Sequence, residues 1–217
     1  MITKILNIIG GGGHSLVVID AIFSNKNLNY IIHLFDDDKN CRVNLSYKDN
    51  EKIIYKGVID DFFNNDNLII GNDFFVAIGN NKVRMELTNK LNCRGNLISI
   101  AHKNSTISEN TSISGGVFIG ANSVIHPMSR LKKGVIVNTS AVIEHEAIIS
   151  EFCHVSPGAI VLGGAKVERL SWVGANSIIL NNISIGAKSI VGAGSVVLKS
   201  ISGHKTYVGV PAKEVKI

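Results

Sequence analysis

From residue 107 to residue 197 an aliphatic side chain recurs at every sixth position without a break. The series is Ile107, Ile113, Ile119, Ile125, Leu131, Val137, Ile143, Ile149, Val155, Val161, Val167, Val173, Ile179, Ile185, Val191 and Val197. Four residues after each stands a second inward-type residue, mostly small or β-branched, from Thr111, Val117 and Ser123 to Ser195 and Ile201. A helix repeats at 3.6 residues and a strand at 2, so a strict six belongs to neither. A short fixed period held this long predicts a β-solenoid, with one short strand and one turn per hexad. The aliphatic residue fills the core, and the small one sits near a corner where bulk would clash. Gly and Asn in Val173-Gly174-Ala175-Asn176 and Val191-Gly192-Ala193-Gly194 are expected to supply the φ > 0 positions of the corners. Three hexads make one triangular coil, so sixteen give about five coils, stacked at roughly 4.8 Å each.

The pattern before residue 100 is different. Lys4 to Ile9 reads as a hydrophobic strand, followed by Gly10-Gly11-Gly12-Gly13-His14-Ser15 and the apolar run Leu16 to Ile22. Strand, glycine-rich turn and buried helix open a Rossmann-like unit, whose turn brings backbone N–H groups to an anion at the helix N-terminus. A second strand, Ile31 to Phe35, ends in Asp36-Asp37-Asp38, where acids commonly accept hydrogen bonds from ribose or base donors. A later strand, Phe75 to Gly79, runs into Asn80-Asn81 and a helix with Val83, Leu87 and Leu91 on one stripe. Ser15 stands where the dinucleotide fingerprint would have its third glycine, so a mononucleotide or nucleotide sugar fits better than NAD. Residues 40–66 read as polar loops around one strand near Lys52 to Tyr55. The fold class is therefore mixed: an α/β domain over 1–100, then a solenoid with a C-terminal tail over 101–217.

Composition narrows the setting. With 45% hydrophobic and 18% charged residues the chain is globular. It has no apolar run of membrane-spanning length, and its first residues are too short for a signal peptide. Cys41, Cys93 and Cys153 lie far apart without metal spacing, which predicts a reduced, cytoplasmic protein and no metal. The net charge of +5 is not gathered into a dense Lys/Arg block, so neither nucleic acid nor membrane insertion is expected.

Taken in order, the glycine turn with His14, the Asp36-Asp37 strand end, Ala77-Ile78-Gly79-Asn80-Asn81 and the six-residue repeat resemble one family along nearly the whole chain. It is the family of hexapeptide-repeat sugar acetyltransferases related to sialic-acid O-acetyltransferases, with the nearest likeness to the bacillosamine-pathway enzymes that acetylate the 4-amino group of a UDP-linked amino sugar. The strongest local match is Val137-Asn138-Thr139-Ser140-Ala141-Val142-Ile143-Glu144-His145-Glu146, supported by Glu151 to Ser156 and Val208 to Lys213. The resemblance implies a left-handed parallel β-helix, a hand that opposes the general right-handed crossover rule. It implies acetyl-CoA as donor, His145 as general base and Glu146 as its orienting acid. His154 would contact acetyl-CoA, and Gly163, Ala175 and Ala193 would line the coenzyme groove. Gly12, Gly13, His14, Asp36, Asp37 and Gly79 would meet the nucleotide sugar. It also implies a homotrimer with its active site between adjacent subunits.

The residues support part of this directly. His145 lies in the third place of its hexad, outside the inward positions 143 and 147, so it should point away from the core. Its imidazole is suited to cycling a proton near neutral pH, and either Glu146 or Glu144 could accept its other ring N–H. Trp172 falls one coil beyond His154, and Gly163 one coil beyond His145. His33, His102, His126 and His204 read as surface or packing residues. Phe118, Val142 and Trp172 are expected as exposed apolar residues in need of cover. Sugar O-acetylation and a non-catalytic nucleotide-sugar scaffold are the alternatives.

Overall fold

A computed structural model of the chain describes residues 4–25, 29–91 and 94–215, so Cys93 and Met1 to Thr3 fall outside the described residues. The chain divides into two compact units, Met1–Ile100 and Ala101–Ile217.

The first unit is an open parallel sheet. Its strands are β1 (Lys4–Ile9), β2 (Tyr30–Phe35), β3 (Ile53–Gly57), β4 (Asp73–Val76) and β5 (Asn96–Leu97), in the order β3-β2-β1-β4-β5. Its helices are α1 (Gly13–Ser24), α2 (Arg42–Ser46), α3 (Ile59–Phe63), α4 (Asp66–Ile69) and α5 (Asn81–Lys90). The strand order reverses between β1 and β4, which makes their carboxyl ends the switch point where α/β sheets bind ligands. Leu6, Ile8 and Ile9 of β1 and Ile32, Leu34 and Phe35 of β2 are buried, and α1 covers the sheet with Val18, Ile19, Ala21 and Ile22. On the other side Phe35, Phe62, Phe63 and Phe74 form an aromatic cluster, with Phe35 and Phe62 centroids 5.2 Å apart.

Two expectations change here. Residues 40–66 are not loops around a single strand, because α2 and α3 also lie there, anchored by buried Val43, Phe62 and Phe63. On α5 the buried stripe is Arg84, Thr88 and Leu91, with Leu87 partly buried and Val83 exposed. The reason is Arg84: its Nη1 donates to the carbonyls of Ile78 and Gly79 at 3.0 Å, and its Nη2 to Asn81 Oδ1 at 2.8 Å. A guanidinium that satisfies these carbonyls is tolerated at a position an apolar residue would otherwise take.

The second unit is a left-handed parallel β-helix. After β6 (Ile100–Ala101) come sixteen two-residue strands, β7 (Thr106–Ile107) through β22 (Val196–Val197). Each periodic aliphatic residue is the second residue of its strand. It faces a core closed by the corner residues Val117, Val135, Ala141, Ala147, Cys153, Ala159 and Ala165. The strands sort into three sheets of eight, six and five strands, in which β6 to β22 pair in parallel with strands 18 residues away. The eight-stranded sheet ends with β23 (Thr206–Val208) and β24 (Lys213–Val215), which pair antiparallel. Ile107 is only partly buried and Ile113 is exposed; burying each of the other periodic aliphatic side chains contributes about 1.5–3 kcal/mol.

The corner chemistry differs from the sequence expectation. Left-handed backbone falls at a single place, three residues after the inward aliphatic, in every turn from Gly116 to Gly194. Asn176 and Gly194 occupy it, whereas Gly174 and Gly192 do not. Met128, Phe152 and Leu170 also adopt positive φ there, each at a cost of roughly 1–2 kcal/mol. Coil geometry, held by the core and the ladders, therefore overrides local preference. Gly174 is required for another reason: a Cβ would lie 2.5 Å from the Val191 carbonyl oxygen of the next coil.

Candidate active site

In the first unit the glycine turn is tied down on both sides. Gly10 N–H donates to the Phe35 carbonyl, and Ala77 N–H to that of Ile9. Ser15 Oγ, fully buried, lies 2.5 Å from the Gly10 carbonyl and 2.9 Å from that of Ala77. The serine in place of a third glycine thus joins the two loops of the switch point. Gly11 N–H donates to Asp36 Oδ2 at 2.6 Å, and Asp38 N–H to Asp36 Oδ1 at 2.9 Å. A Cβ on Gly11 would collide with the Cys41 sulfur.

Gly12 is the N-cap of α1 without a side-chain cap, and a Cβ on Gly13 would meet Arg42 Nη1 at 3.3 Å. Gly79 lies beside His14, its Cβ position 3.9 Å from that of His14. The structure therefore brings Gly12, Gly13, His14, Asp36 and Gly79 to one end of the sheet. Asp37 is engaged elsewhere, its Oδ1 accepting from Ile59 N–H at 3.1 Å at the start of α3. Because Asp36 braces the turn, Asp36→Ala is expected to destabilise the first unit by about 1–2 kcal/mol, the net worth of a partly exposed charged hydrogen bond. Urea unfolding followed by circular dichroism measures the change.

In the solenoid His145 and Glu146 occupy the corner between β13 (Val142–Ile143) and β14 (Ile148–Ile149), that is, between the six- and five-stranded sheets. Both side chains are exposed, and His145 Nδ1 is 3.1 Å from Glu146 Oε2. Glu146 stands in the left-handed position with φ 60°. Glu144 faces another group: its Oε1 is 3.6 Å from His126 Nε2, one coil earlier. Of the two candidate partners, Glu146 is the one that meets His145. A carboxylate at Nδ1 places the ring proton there and leaves the Nε2 lone pair to accept another. One coil on, Gly163 faces the ring. A Cβ there would lie 2.6 Å from His145 Cε1 and 2.7 Å from Nε2. Only glycine leaves that side of the imidazole open.

His154 lies on β15 (His154–Val155) in the eight-stranded sheet, next to β18 (Trp172–Val173). The His154 and Trp172 rings stack at 5.6 Å and 4°, and Trp172 Nε1 donates to Ser156 Oγ at 2.6 Å. Asn138 Nδ2 is 3.1 Å from His154 Nε2. Asn138, Ser156, Ala175 and Ala193 all follow strands of the eight-stranded sheet, at the corner leading to the six-stranded one.

The candidate residues of one chain thus form two groups. His145, Glu146 and Gly163 lie at one edge of the six-stranded sheet; His154, Ala175 and Ala193 lie at or near the other. Between them the outward positions of that sheet form a ladder of partly exposed aliphatic residues, Val124, Val142, Ile160, Ile178 and Val196. Phe118, expected to be exposed, is fully buried, while Trp172 is 48% exposed. Phe118 and Ile136, though at the outward places of their strands, are already covered within the chain.

Sequence reasoning had assigned no role to Asn138, Ser156 or Arg84. The eighteen-residue coil period would have placed Asn138 beside Ser156, but only coordinates give their partners. A cavity of about 620 Å³ lined by Lys188, Ile190, His204, Lys205, Thr206, Glu214 and Val215 was likewise not anticipated. Among the described residues no cluster of His, Cys, Asp or Glu could hold a metal ion, and no helix is long and apolar enough to cross a membrane.

The parallel β-helix and its CoA-bound structural relatives support an acetyltransferase. Residues 5–91 match the PglD N-terminal domain, and residues 165–199 match the hexapeptide repeat of succinyl-transferase. Together the two matches and the solved structures below support a hexapeptide sugar N-acetyltransferase family. Among solved structures it is similar to PerB from Caulobacter crescentus in complex with CoA and GDP-perosamine. That match has 28% identity and a TM-score of 0.86, and covers 97% of each chain. It is also similar to the acetyltransferase domain of PglB from Neisseria gonorrhoeae in complex with acetyl coenzyme A. There the identity is 29% and the TM-score 0.86, with 98% of this chain and 100% of that one covered. WeeI from Acinetobacter baumannii, at 20% identity and TM-score 0.75, shares the fold. No curated protein matches the chain.

Proposed function

We propose that this protein transfers the acetyl group of acetyl-CoA to the 4-amino group of a UDP-linked amino sugar, in bacterial surface-glycan or protein-glycan biosynthesis. The observation that carries the reading is His145, turned out of the core, bonded through Nδ1 to Glu146 and kept open at Nε2 by Gly163. The solved relatives bound to a nucleotide sugar, CoA or acetyl coenzyme A support the substrate classes.

The amine nitrogen attacks the thioester carbonyl, forming a C–N bond and a tetrahedral oxyanion. His145 Nε2 takes the proton from nitrogen, and Glu146 steadies the imidazolium. Collapse breaks the C–S bond, and the proton passes to the departing thiolate. His154 contacts the acetyl donor, and Gly163, Ala175 and Ala193 give the coenzyme a shallow groove. Gly12, Gly13, His14, Asp36 and Gly79 serve the nucleotide sugar, with α1 directing its N-terminus to a phosphate. The reaction belongs to the cytoplasm, where free thiols such as Cys41 and Cys153 persist.

The working unit is a homotrimer. His145 sits at one edge of an aliphatic face, and His154, Ala175 and Ala193 sit at or near the opposite edge. Packing that face head-to-tail against a neighbour would bring one edge to the other and close a ring. Ile160→Arg places a charge in the middle of the ladder. It is expected to yield monomers by sedimentation velocity and to lose acetyl transfer while keeping its circular dichroism. A trimer that persists in this variant would count against this face as the interface.

The function itself is tested by release of free thiol from acetyl-CoA with a panel of UDP- and GDP-linked 4-amino sugars and sialic acids. Turnover with a UDP-4-amino sugar is expected. Turnover confined to sialic acids would replace this reading with O-acetylation, and none with any acceptor would favour a binding scaffold.

A further inference from the structure

The positive charge of the solenoid is gathered on one wall. Between residues 106 and 197 the chain has six lysines and arginines: Arg130, Lys132, Lys133, Lys166, Arg169 and Lys188. All six stand on the five-stranded sheet or at the corner leading from it to the eight-stranded one. Arg130 and Lys166 are the outward residues of β11 (Arg130–Leu131) and β17 (Lys166–Val167), two coils apart with Ile148 between them. The other two walls are different. The outward positions of the six-stranded sheet are Thr106 and five aliphatic residues, and from Phe118 to Ile190 those of the eight-stranded sheet have His154 as their one titratable group.

Spacing along the chain hides this wall, because the coil period of 18 is what brings residues 130, 148 and 166 into register. Arg130, Lys166, Arg169 and Lys188 are exposed, and Lys132 and Lys133 are half-buried. Two acids, Glu151 and Glu168, stand among the six cations, so the wall keeps four positive charges in excess. No described ion pair includes Arg130, Lys132, Lys133, Lys166 or Lys188. A prism that needed charge only for solubility would spread it over its sides. Like charges held on one side repel one another, and an anionic partner relieves that cost.

We propose that the five-stranded wall is a docking surface for an anionic phospholipid bilayer, on which the protein adsorbs without inserting. Five strands spaced at roughly 4.8 Å make a flat wall about 20 Å tall. A planar array of headgroups meets the whole of such a wall at once. Nucleic acid fits it less well: a duplex is curved, and single strands are held largely by stacking on aromatic side chains. The outward ladder of the wall is Ser112, Arg130, Ile148, Lys166 and Ser184, without an aromatic residue, and Phe152 at its corner is buried. The aliphatic wall assigned to subunit packing is another side of the prism, so a neighbouring subunit and a bilayer do not compete for it. Each cation close to an anionic surface strengthens binding about fivefold, which makes this adsorption weak and reversible.

The test is co-sedimentation of the full chain with vesicles of phosphatidylcholine alone and of phosphatidylcholine mixed with phosphatidylglycerol, at low and high ionic strength. Binding to the anionic vesicles at low salt and its loss at high salt are expected, since exposed charges are screened over roughly 10 Å at 0.1 M. Equal binding to both kinds of vesicle, or none to the anionic ones, overturns the proposal. Arg130→Ser with Lys132→Ser and Lys133→Ser should weaken anionic-vesicle binding about a hundredfold. Lys48→Ser with Lys52→Ser and Lys56→Ser removes as much charge from the first unit and should change it little. Equal losses in the two triple variants would assign the binding to bulk charge and overturn the wall as its site. Should the solenoid variant not fold, Lys166→Ser with Lys188→Ser reads the same wall, with an expected loss of about twentyfold. Duplex DNA that strips the protein from the vesicles at a phosphate concentration below that of the anionic lipid would make nucleic acid the partner and overturn the lipid assignment. Thiol release in solution should stay at its wild-type value in all these variants. Its absence in the wild-type protein would strike the acetyltransferase reading and leave the vesicle result standing.

Discussion

Replacing His145 by alanine is expected to lower kcat for acetyl transfer by about 10²–10⁴-fold, the usual contribution of a positioned general base. KM for acetyl-CoA should change little, because His145 is assigned to proton transfer rather than to holding the coenzyme. Thermal stability should also hold: the imidazole is 59% exposed and removing it leaves no core cavity. Steady-state kinetics and a thermal melt on the same preparation measure both. A variant that keeps wild-type kcat would remove His145 from the chemistry. An amine acceptor needs less help losing its proton than a hydroxyl does, so the loss belongs toward the lower end of that range for an N-acetyltransferase and the upper end for an O-acetyltransferase.

Gly163→Ala is expected to cost about tenfold to a hundredfold in kcat with almost no loss of stability. The added methyl would lie 2.6 Å from His145 Cε1, well inside contact distance. Gly163 is not among the residues with left-handed backbone, so alanine can adopt its conformation. The obstacle is an exposed, rotatable ring, and the ring will swing rather than the coil shift. The cost therefore falls on geometry, where a displacement of about 1 Å can cost on the order of a hundredfold. The test includes a coupling: in a His145→Ala background, Gly163→Ala should add nothing. Additive losses in the double variant would show that Gly163 acts by another route, such as the coenzyme groove.

The solenoid was legible because its repeat is a local rule applied sixteen times. Each hexad must place one aliphatic residue inward, and the ladder must match the residue 18 positions on, so period alone set register, corners and the outward place of His145. The same arithmetic paired Gly163 with His145 and Trp172 with His154, and the coordinates show both contacts. Left-handed backbone was harder to read, because Met128, Phe152 and Leu170 adopt it under the constraint of the coil rather than by preference. In the α/β unit the strand–turn–helix opening was legible from glycines and apolar runs. The buried Arg84 was not, because burial of a guanidinium depends on which carbonyls need donors, and those come from a loop whose path is set in three dimensions.

By itself the sequence determined the two-part architecture and the wall on which a base can stand, since both follow from periodicity and chain order. Tertiary structure decided which acid meets which histidine. Glu144 and Glu146 are equivalent neighbours of His145 in the chain, yet one turns to His126 and the other to His145. It also separated the base from His154 across one aliphatic face and bound His154 to Asn138. Hydrogen bonds of this kind depend on directions and distances of a few tenths of an ångström, which a spacing rule along the chain does not carry.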